Sequence, residues 1–299
     1  MTSNEYIRLL RPQQWYKNLL IFLPLLFSNN LFVLENLFLC VIGFFSLCLV
    51  SSSYYILNDI KDVNEDKRNP EKKKRPIASG EIGTGMALLI FLIAFVSSMG
   101  LSLSLSSSFF AFPVLLFTLN IFYTLGLKNI PLVDINIISF NFVLRAASGA
   151  VLIGVPVSPW LIITIYILAL FLAVGKRKGE LFVLGKDPSK HKKVYTFYNE
   201  KFLDFMTIIL STSLFISYIL YTFMADIGIY MLLTVPFAGF MIFRYMHFVI
   251  SGTDVSRKTE YFFRDRHMQI YLVLWFLTLF LVLYAPDTLE QIFSLIFSI

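Results

Sequence analysis

The sequence predicts an all-α fold, a polytopic membrane helix bundle of nine transmembrane helices that forms one domain over residues 1–299. Composition is the first reason. Hydrophobic residues make up 57% of the chain and charged residues only 15%, where a water-soluble domain carries about a quarter charged. The second is the pattern, in which long apolar runs alternate with short polar breaks and many runs reach the roughly 20 residues that cross a hydrocarbon core. The third is the placement of charge.

Nine spans are expected near residues 16–34, 37–57, 84–104, 108–126, 132–153, 158–174, 203–224, 228–248 and 268–286. The first is interrupted by Pro24 and meets Ser28-Asn29-Asn30 early, so a re-entrant path is its alternative. The second holds Cys40 and Cys48, which lack a metal-ligand spacing and read as small buried hydrophobes without a disulfide. The third follows a charged loop that Pro76 and Gly80 end, and the fourth comes shortly after it. Asp134, Asn141, Arg145 and Ser148 fall within about 40° of one line down the fifth, a polar stripe that needs a cavity or a partner. Cations follow the sixth, the seventh to ninth are plain apolar runs, and Leu289 to Ile299 is too short to span. The segment Met1 to Asn18 lacks the pattern of a cleaved secretory signal, so the N-terminus is expected to be retained.

If the N-terminus is cytoplasmic, all 25 Lys and Arg residues fall on the cytoplasmic side or, for Arg145, within span five. No opposite-side loop contains one, which also argues that the first segment crosses. The pI of about 9.2 then records orientation in a cell membrane and not nucleic-acid binding. Most of the 19 carboxylates share that side, leaving Glu35, Asp226, Asp287 and Glu290 elsewhere. Acids contribute little to topology, so one face carrying both signs suggests a site for metal and phosphates.

The densest chemistry is Asn58-Asp59-Ile60-Lys61-Asp62-Val63-Asn64-Glu65-Asp66 at the end of span two. In a continued helix Asp62 lies about 60° and Asp66 about 20° from Asp59, so three carboxylates share a face. They repel one another without a cation, and hard oxygen ligands in this number suit Mg²⁺, which commonly completes its shell with water and substrate phosphate. Lys72, Lys73, Lys74 and Arg75 would take phosphate oxygens that the metal leaves uncovered. The alternative is a solvated helix end whose acids pair with Lys61, Lys67 and Arg68.

The pattern N-D-x-x-D-x-x-x-D, followed by Arg75-Pro76-Ile77-Ala78-Ser79-Gly80, resembles the first aspartate motif and the R-P-[IL]-x-x-G of the UbiA-type membrane prenyltransferase superfamily. The resemblance covers essentially the whole chain and implies a central cavity open toward the cytoplasmic side. Typical aromatic prenyltransferases of that superfamily carry a second Asp-rich motif after span six. Here that place reads Gly175-Lys176-Arg177-Lys178-Gly179-Glu180, with cations dominant. This segment, Arg11-Pro12-Gln13-Gln14-Trp15-Tyr16-Lys17-Asn18, Phe142 to Gly149, and Glu260 with Arg264-Asp265-Arg266 together look like the decaprenyl-phosphate phosphoribosyltransferase branch.

That resemblance implies transfer of 5-phosphoribose from 5-phosphoribosyl 1-diphosphate to a polyprenyl phosphate in the membrane lipid, with release of diphosphate. Asp59, Asp62 and Asp66 are the expected Mg²⁺ ligands, and they and Arg145 the catalytic residues. Substrate contacts are expected from Lys17, Asn58, Lys73, Arg75, Tyr123, Lys128, Asp134, Lys176, Arg177, Glu180, Glu260, Arg264 and Arg266. Some have a plainer alternative: Lys176, Arg177 and Lys178 as a helix C-terminus complementing its dipole, Arg145 as a structural salt bridge, Tyr123 as an interface marker. The rival activity is prenyl transfer to a small acceptor, and the rival class a transporter or scaffold, against which no internal repeat is visible. The sequence assigns no oligomeric state.

Overall fold

A computed structural model describes residues 3–69, 72–184, 193–224, 229–253, 264–289 and 291. The chain is an all-helical polytopic membrane bundle: eight of the described helices are long and apolar enough to cross a membrane. In order, α1 covers Ser3–Leu10, a 3₁₀ helix Pro12–Phe22, α2 Leu23–Phe27, α3 Leu34–Lys61, α4 Val63–Arg68, α5 Thr84–Leu105 and α6 Ser107–Leu125. Then come α7 Val133–Leu152, α8 Pro159–Leu184, α9 Glu200–Met224, α10 Val235–Ile250 and α11 Arg266–Tyr284. The eight candidates are α3 and α5–α11, with α10 extended back to Ile229 by a 3₁₀ turn.

The expected first span takes an irregular form. Pro12 and Pro24 each sit at the start of a helical segment, where a missing N–H is tolerated, and the chain between them is 3₁₀. At roughly 2.0 Å per 3₁₀ residue and 1.5 Å per α residue, Pro12–Phe27 extends about 30 Å, the thickness of a hydrocarbon core. The bundle thus has eight to nine candidate spans. Outward-facing Leu88, Leu89, Leu92, Ile93 and Val96 of α5 are 45–58% exposed, as a lipid-facing helix requires.

The helices gather in two compact units, and the division runs through α7. Residues 1–127 and 141–157 form the first. Its centre is α3, packed on α5, α6, α1 and the 3₁₀ helix. Small residues let the backbones approach: the Ser46 hydroxyl donates to the Ser98 carbonyl at 3.0 Å and the Ser98 hydroxyl to the Ser46 carbonyl at 2.8 Å. At Gly149 of α7 a Cβ would stand 2.0 Å from the Ile21 carbonyl oxygen, so only glycine fits there.

Residues 128–140 and 158–299 form the second unit. Here α9 packs between α8 and α10, and α10 also packs on α11. Its core is aromatic and aliphatic, with Phe171, Tyr198, Leu203, Tyr245, Val249 and Met268 buried. Helix α8 continues well past residue 174, so Lys176, Arg177 and Lys178 lie inside a helix and not at its C-terminus.

Candidate active site

The junction of α3 and α4 builds a buried pair of acids. Asp62 N–H donates to the Asn58 carbonyl at 2.9 Å and Asp66 N–H to the Asp62 carbonyl at 2.8 Å, so the chain keeps a helical path through the break. Asp59 and Asp66 therefore return to one side, as their spacing predicts, and are 2% and 1% exposed. Arg75 Nη1 donates to Asp59 Oδ1 at 2.9 Å and to Asp66 Oδ2 at 2.6 Å. Arg11 Nη2 donates to both Asp59 oxygens, at 2.6 Å to Oδ2, and its guanidinium lies over the Tyr55 ring, 5.1 Å from the centroid. Asp62 is half-buried at the helix break. Among the described residues no three Asp, Glu, His or Cys side chains stand together as a ready-made metal cage. Asp66 Oδ1 is buried and accepts no hydrogen bond among the described residues; the Lys72 ammonium stands 3.7 Å away. A buried carboxylate oxygen without a donor is a position where a cation fits.

Arg11 reaches Asp59 from a left-handed backbone, φ 53° and ψ 53°, directly before Pro12. Such a conformation in a bulky residue costs of order 1–3 kcal/mol and persists where surrounding contacts enforce it. It turns the chain out of α1, so that Arg8, Arg11, Gln13 and Gln14 face Lys74, Arg75 and Pro76 across a pocket of about 290 Å³. Arg8 clamps this wall, donating to Glu81 Oε2 at 3.0 Å and to the Lys74 carbonyl at 2.5 Å. The left-handed Gly80, φ 83°, closes the turn that follows Arg75.

A second buried cation lies in the same unit. Arg145 is 3% exposed and donates to Asn18 Oδ1 at 2.7 Å, the Asn141 carbonyl at 2.5 Å and the Tyr54 hydroxyl at 2.8 Å. All three acceptors are neutral. Among the described residues no carboxylate pairs with it, so a structural salt bridge is not the reason for its burial. Lys17 donates to Gln14 Oε1 at 2.7 Å, the Thr124 hydroxyl donates to Asn58 Oδ1 at 3.2 Å, and Lys73 is exposed. Tyr123 at the end of α6 and Lys128 in the turn that follows are half-buried.

The second unit holds an ionic knot of its own. Asp134 is fully buried and accepts from Arg177 Nε at 2.8 Å and from the Tyr198 hydroxyl at 2.6 Å. Arg177 also donates to Glu180 at 3.0 Å, Glu180 accepts from Tyr195 at 2.5 Å, and Lys178 pairs with Asp204. Burial, then the neighbouring Glu180 carboxylate, pushes the Tyr195 hydroxyl up. Burial and its bond to Asp134 do the same to Tyr198, so both stay protonated donors. Lys176 and Arg264 are exposed, as is Arg266 at the start of α11, while Glu260 lies outside the described residues. The polar stripe of α7 thus divides: Asp134 serves the second unit, whereas Asn141, Arg145 and Ser148 belong to the first. Arg11, Asn18, Tyr54, Tyr195, Tyr198, Lys178 and Asp204 join these networks although sequence reasoning assigned none of them to a site. The R-P-x-Q-W-x-K-N run flagged Arg11 and Asn18; no local signal flagged the tyrosines.

The model of the UbiA prenyltransferase family matches residues 20–273. The chain belongs to that family. Among UbiA relatives, the decaprenyl-phosphate phosphoribosyltransferase of Corynebacterium glutamicum is 30% identical, over 94% of this chain and 87% of its own. The enzyme of the same name from Mycolicibacterium smegmatis is 29% identical, over 93% of this chain and 92% of its own. A solved UbiA homolog from Archaeoglobus fulgidus bound to DMAPP and Mg²⁺ superimposes with a TM-score of 0.72 at 18% identity, covering 94% of this chain and 99% of that one. This chain therefore has the UbiA fold.

Proposed function

We propose that this UbiA-family transferase moves 5-phosphoribose from 5-phosphoribosyl 1-diphosphate to a polyprenyl phosphate. The observation that carries the reading is the full-length similarity to decaprenyl-phosphate phosphoribosyltransferases, 30% over 94% of the chain, joined to the charge of the site. Two buried carboxylates are wired to two guanidiniums, and a further buried guanidinium, Arg145, is held among the described residues by neutral groups. A donor with a diphosphate and a separate 5-phosphate, meeting a phosphate acceptor, needs that many cations. An aromatic acceptor needs fewer.

Asp59 and Asp66, with Asp62 beside them in the chain, would hold Mg²⁺ against the donor diphosphate; the donorless Asp66 Oδ1 fits that use. When bound, the metal supplies charge neutralisation for the departing diphosphate. Arg75 holds both acids and Arg11 holds Asp59, so both guanidiniums sit where diphosphate oxygens would gain charge. The acceptor phosphate oxygen forms the new bond to the anomeric carbon as the carbon–diphosphate bond breaks, with inversion in a single displacement. That oxygen is already ionised at neutral pH, so no general base is needed. Arg145 is proposed to donate to a substrate phosphate, with Lys17, Asn58 and Lys73 as further contacts. In the second unit Lys176, Arg264 and Arg266 are the proposed substrate cations, and Asp134, Arg177 and Glu180 hold the polar core from which Lys176 projects. The charged loops and N-terminus are proposed to face the cytoplasm.

A second reading, prenyl transfer, is favoured by the fold neighbour bound to DMAPP and Mg²⁺. Purified protein given a polyprenyl phosphate with labelled phosphoribosyl diphosphate, or a small acceptor with labelled prenyl diphosphate, separates the two. Label entering lipid from the first donor alone supports the proposal, and label transferred from the second alone overturns it.

A further inference from the structure

The pocket between the start of the 3₁₀ helix and the Lys74–Pro76 turn is chemically one-sided. Among the described residues, every one that lines it except Pro76 carries a side-chain N–H donor, and none carries a carboxylate. Gln14 spends its carbonyl oxygen on Lys17, which leaves its amide N–H groups for the pocket. Arg8 is braced by Glu81 and by the Lys74 carbonyl, so its part of the wall is fixed. At about 290 Å³ the space lies at the lower edge of the range of small-molecule pockets and has room for a phosphate group. Arg11 and Arg75 each touch Asp59 and also line the pocket, so it lies one side chain away from the acid pair.

We infer that this pocket receives the 5-phosphate of the donor, and that Lys74, Gln13 and Arg8 select a sugar-phosphate donor over a prenyl diphosphate. The inference rests on the function proposed above. A diphosphate at the acid pair occupies one phosphate centre, and a phosphoribosyl donor carries a second one a ribose away. A prenyl diphosphate has nothing to place in a donor-lined pocket, and its chain would strand those groups against hydrocarbon. The acceptor lipid also carries a phosphate, so the test must tell the two apart.

The test uses the full-length protein in lipid nanodiscs and the double variant Lys74→Ala/Gln13→Ala. Both side chains are exposed, and the Lys74 carbonyl that accepts from Arg8 is retained. Loss of a charged donor should raise KM for phosphoribosyl diphosphate about 10-fold or more. KM for polyprenyl phosphate and kcat should stay within about twofold. Ribose 5-phosphate, which has no diphosphate, should inhibit wild type competitively against the donor and the variant about 10-fold less. Unchanged donor KM and unchanged inhibition in the variant overturn the inference while leaving the transferase reading intact. A shift confined to polyprenyl phosphate overturns it too, by giving the pocket to the acceptor. Wild type that ignores phosphoribosyl diphosphate altogether removes the transferase reading and this inference with it.

Discussion

A single nitrogen of Arg75, Nη1, bridges two buried carboxylates, donating to Asp59 at 2.9 Å and to Asp66 at 2.6 Å. Two acids this close repel, and the guanidinium lies where a divalent ion would serve the same end. Arg75→Ala should therefore destabilise the protein by about 3 kcal/mol, the usual cost of removing one partner from a buried ion pair. Mg²⁺ should then raise the variant's melting temperature more than it raises wild type's. Melting curves in detergent, with Mg²⁺ and with chelator, read both effects; equal metal response in the two proteins contradicts the bridging role.

Arg145 is a buried charge satisfied by three neutral groups, one of them the Tyr54 hydroxyl. Tyr54→Phe removes that acceptor and should cost about 1–3 kcal/mol. Arg145→Lys keeps the charge but not the planar fork, and should raise KM for one phosphate-bearing substrate about 10-fold or more. Steady-state kinetics with each substrate varied in turn check this, and unchanged constants return Arg145 to a structural role.

Gly149 and Gly85 predict opposite outcomes for one substitution. A Cβ at Gly149 would meet the Ile21 backbone at 2.0 Å, whereas nothing lies within 4 Å of one at Gly85 of α5. Gly149→Ala should destabilise by about 3 kcal/mol or more, because backbone must move. Gly85→Ala should be neutral or stabilising by up to about 1 kcal/mol. Thermal unfolding of the two variants beside wild type settles the comparison.

Much of this was legible in the sequence, for reasons that differ by region. Helices α3 and α5–α11 announce themselves because a lipid-crossing helix needs a long apolar run. The segment before them is read as a span mainly from the charge count, since Pro12 and Pro24 break the helical pattern while leaving enough length in 3₁₀ form to cross. The spacing of Asp59 and Asp66 and the nearby Arg75 were readable because all lie within one short stretch. Arg11 reaches Asp59 across 48 positions, and Tyr198 reaches Asp134 across 64, so only packing reveals them. Span six is read near residues 158–174 with cations after it, whereas helix α8 runs on to Leu184. It continues because Asp134, Glu180 and Asp204 neutralise Arg177 and Lys178 and let them be buried.

Asp265 caps α11 by accepting from the Met268 N–H at 2.9 Å, and it pairs with Arg244 at 2.9 Å. Burial alone would raise its carboxyl, but Arg244 and the Met268 amide hold it below the ordinary 3.8. A carboxyl with a depressed folded pKa stabilises above its unfolded pKa, and that contribution disappears as pH falls through the folded value. Asp265→Asn keeps the cap and removes the charge, at a cost of about 1 kcal/mol for this partly exposed pair. Melting curves of wild type and variant should differ at neutral pH and converge as pH falls below 3.8; a gap that persists in acid contradicts the assignment.

Mass spectrometry of the lipid formed when purified protein meets phosphoribosyl diphosphate and polyprenyl phosphate bears most directly on the role of Asp59 and Asp66. The expected product is a polyprenyl-phosphoryl 5-phosphoribose that forms with Mg²⁺, disappears in excess chelator, and is missing in Asp59→Asn and Asp66→Asn variants that remain folded. The same product at undiminished yield in chelator, or from both variants, would contradict it.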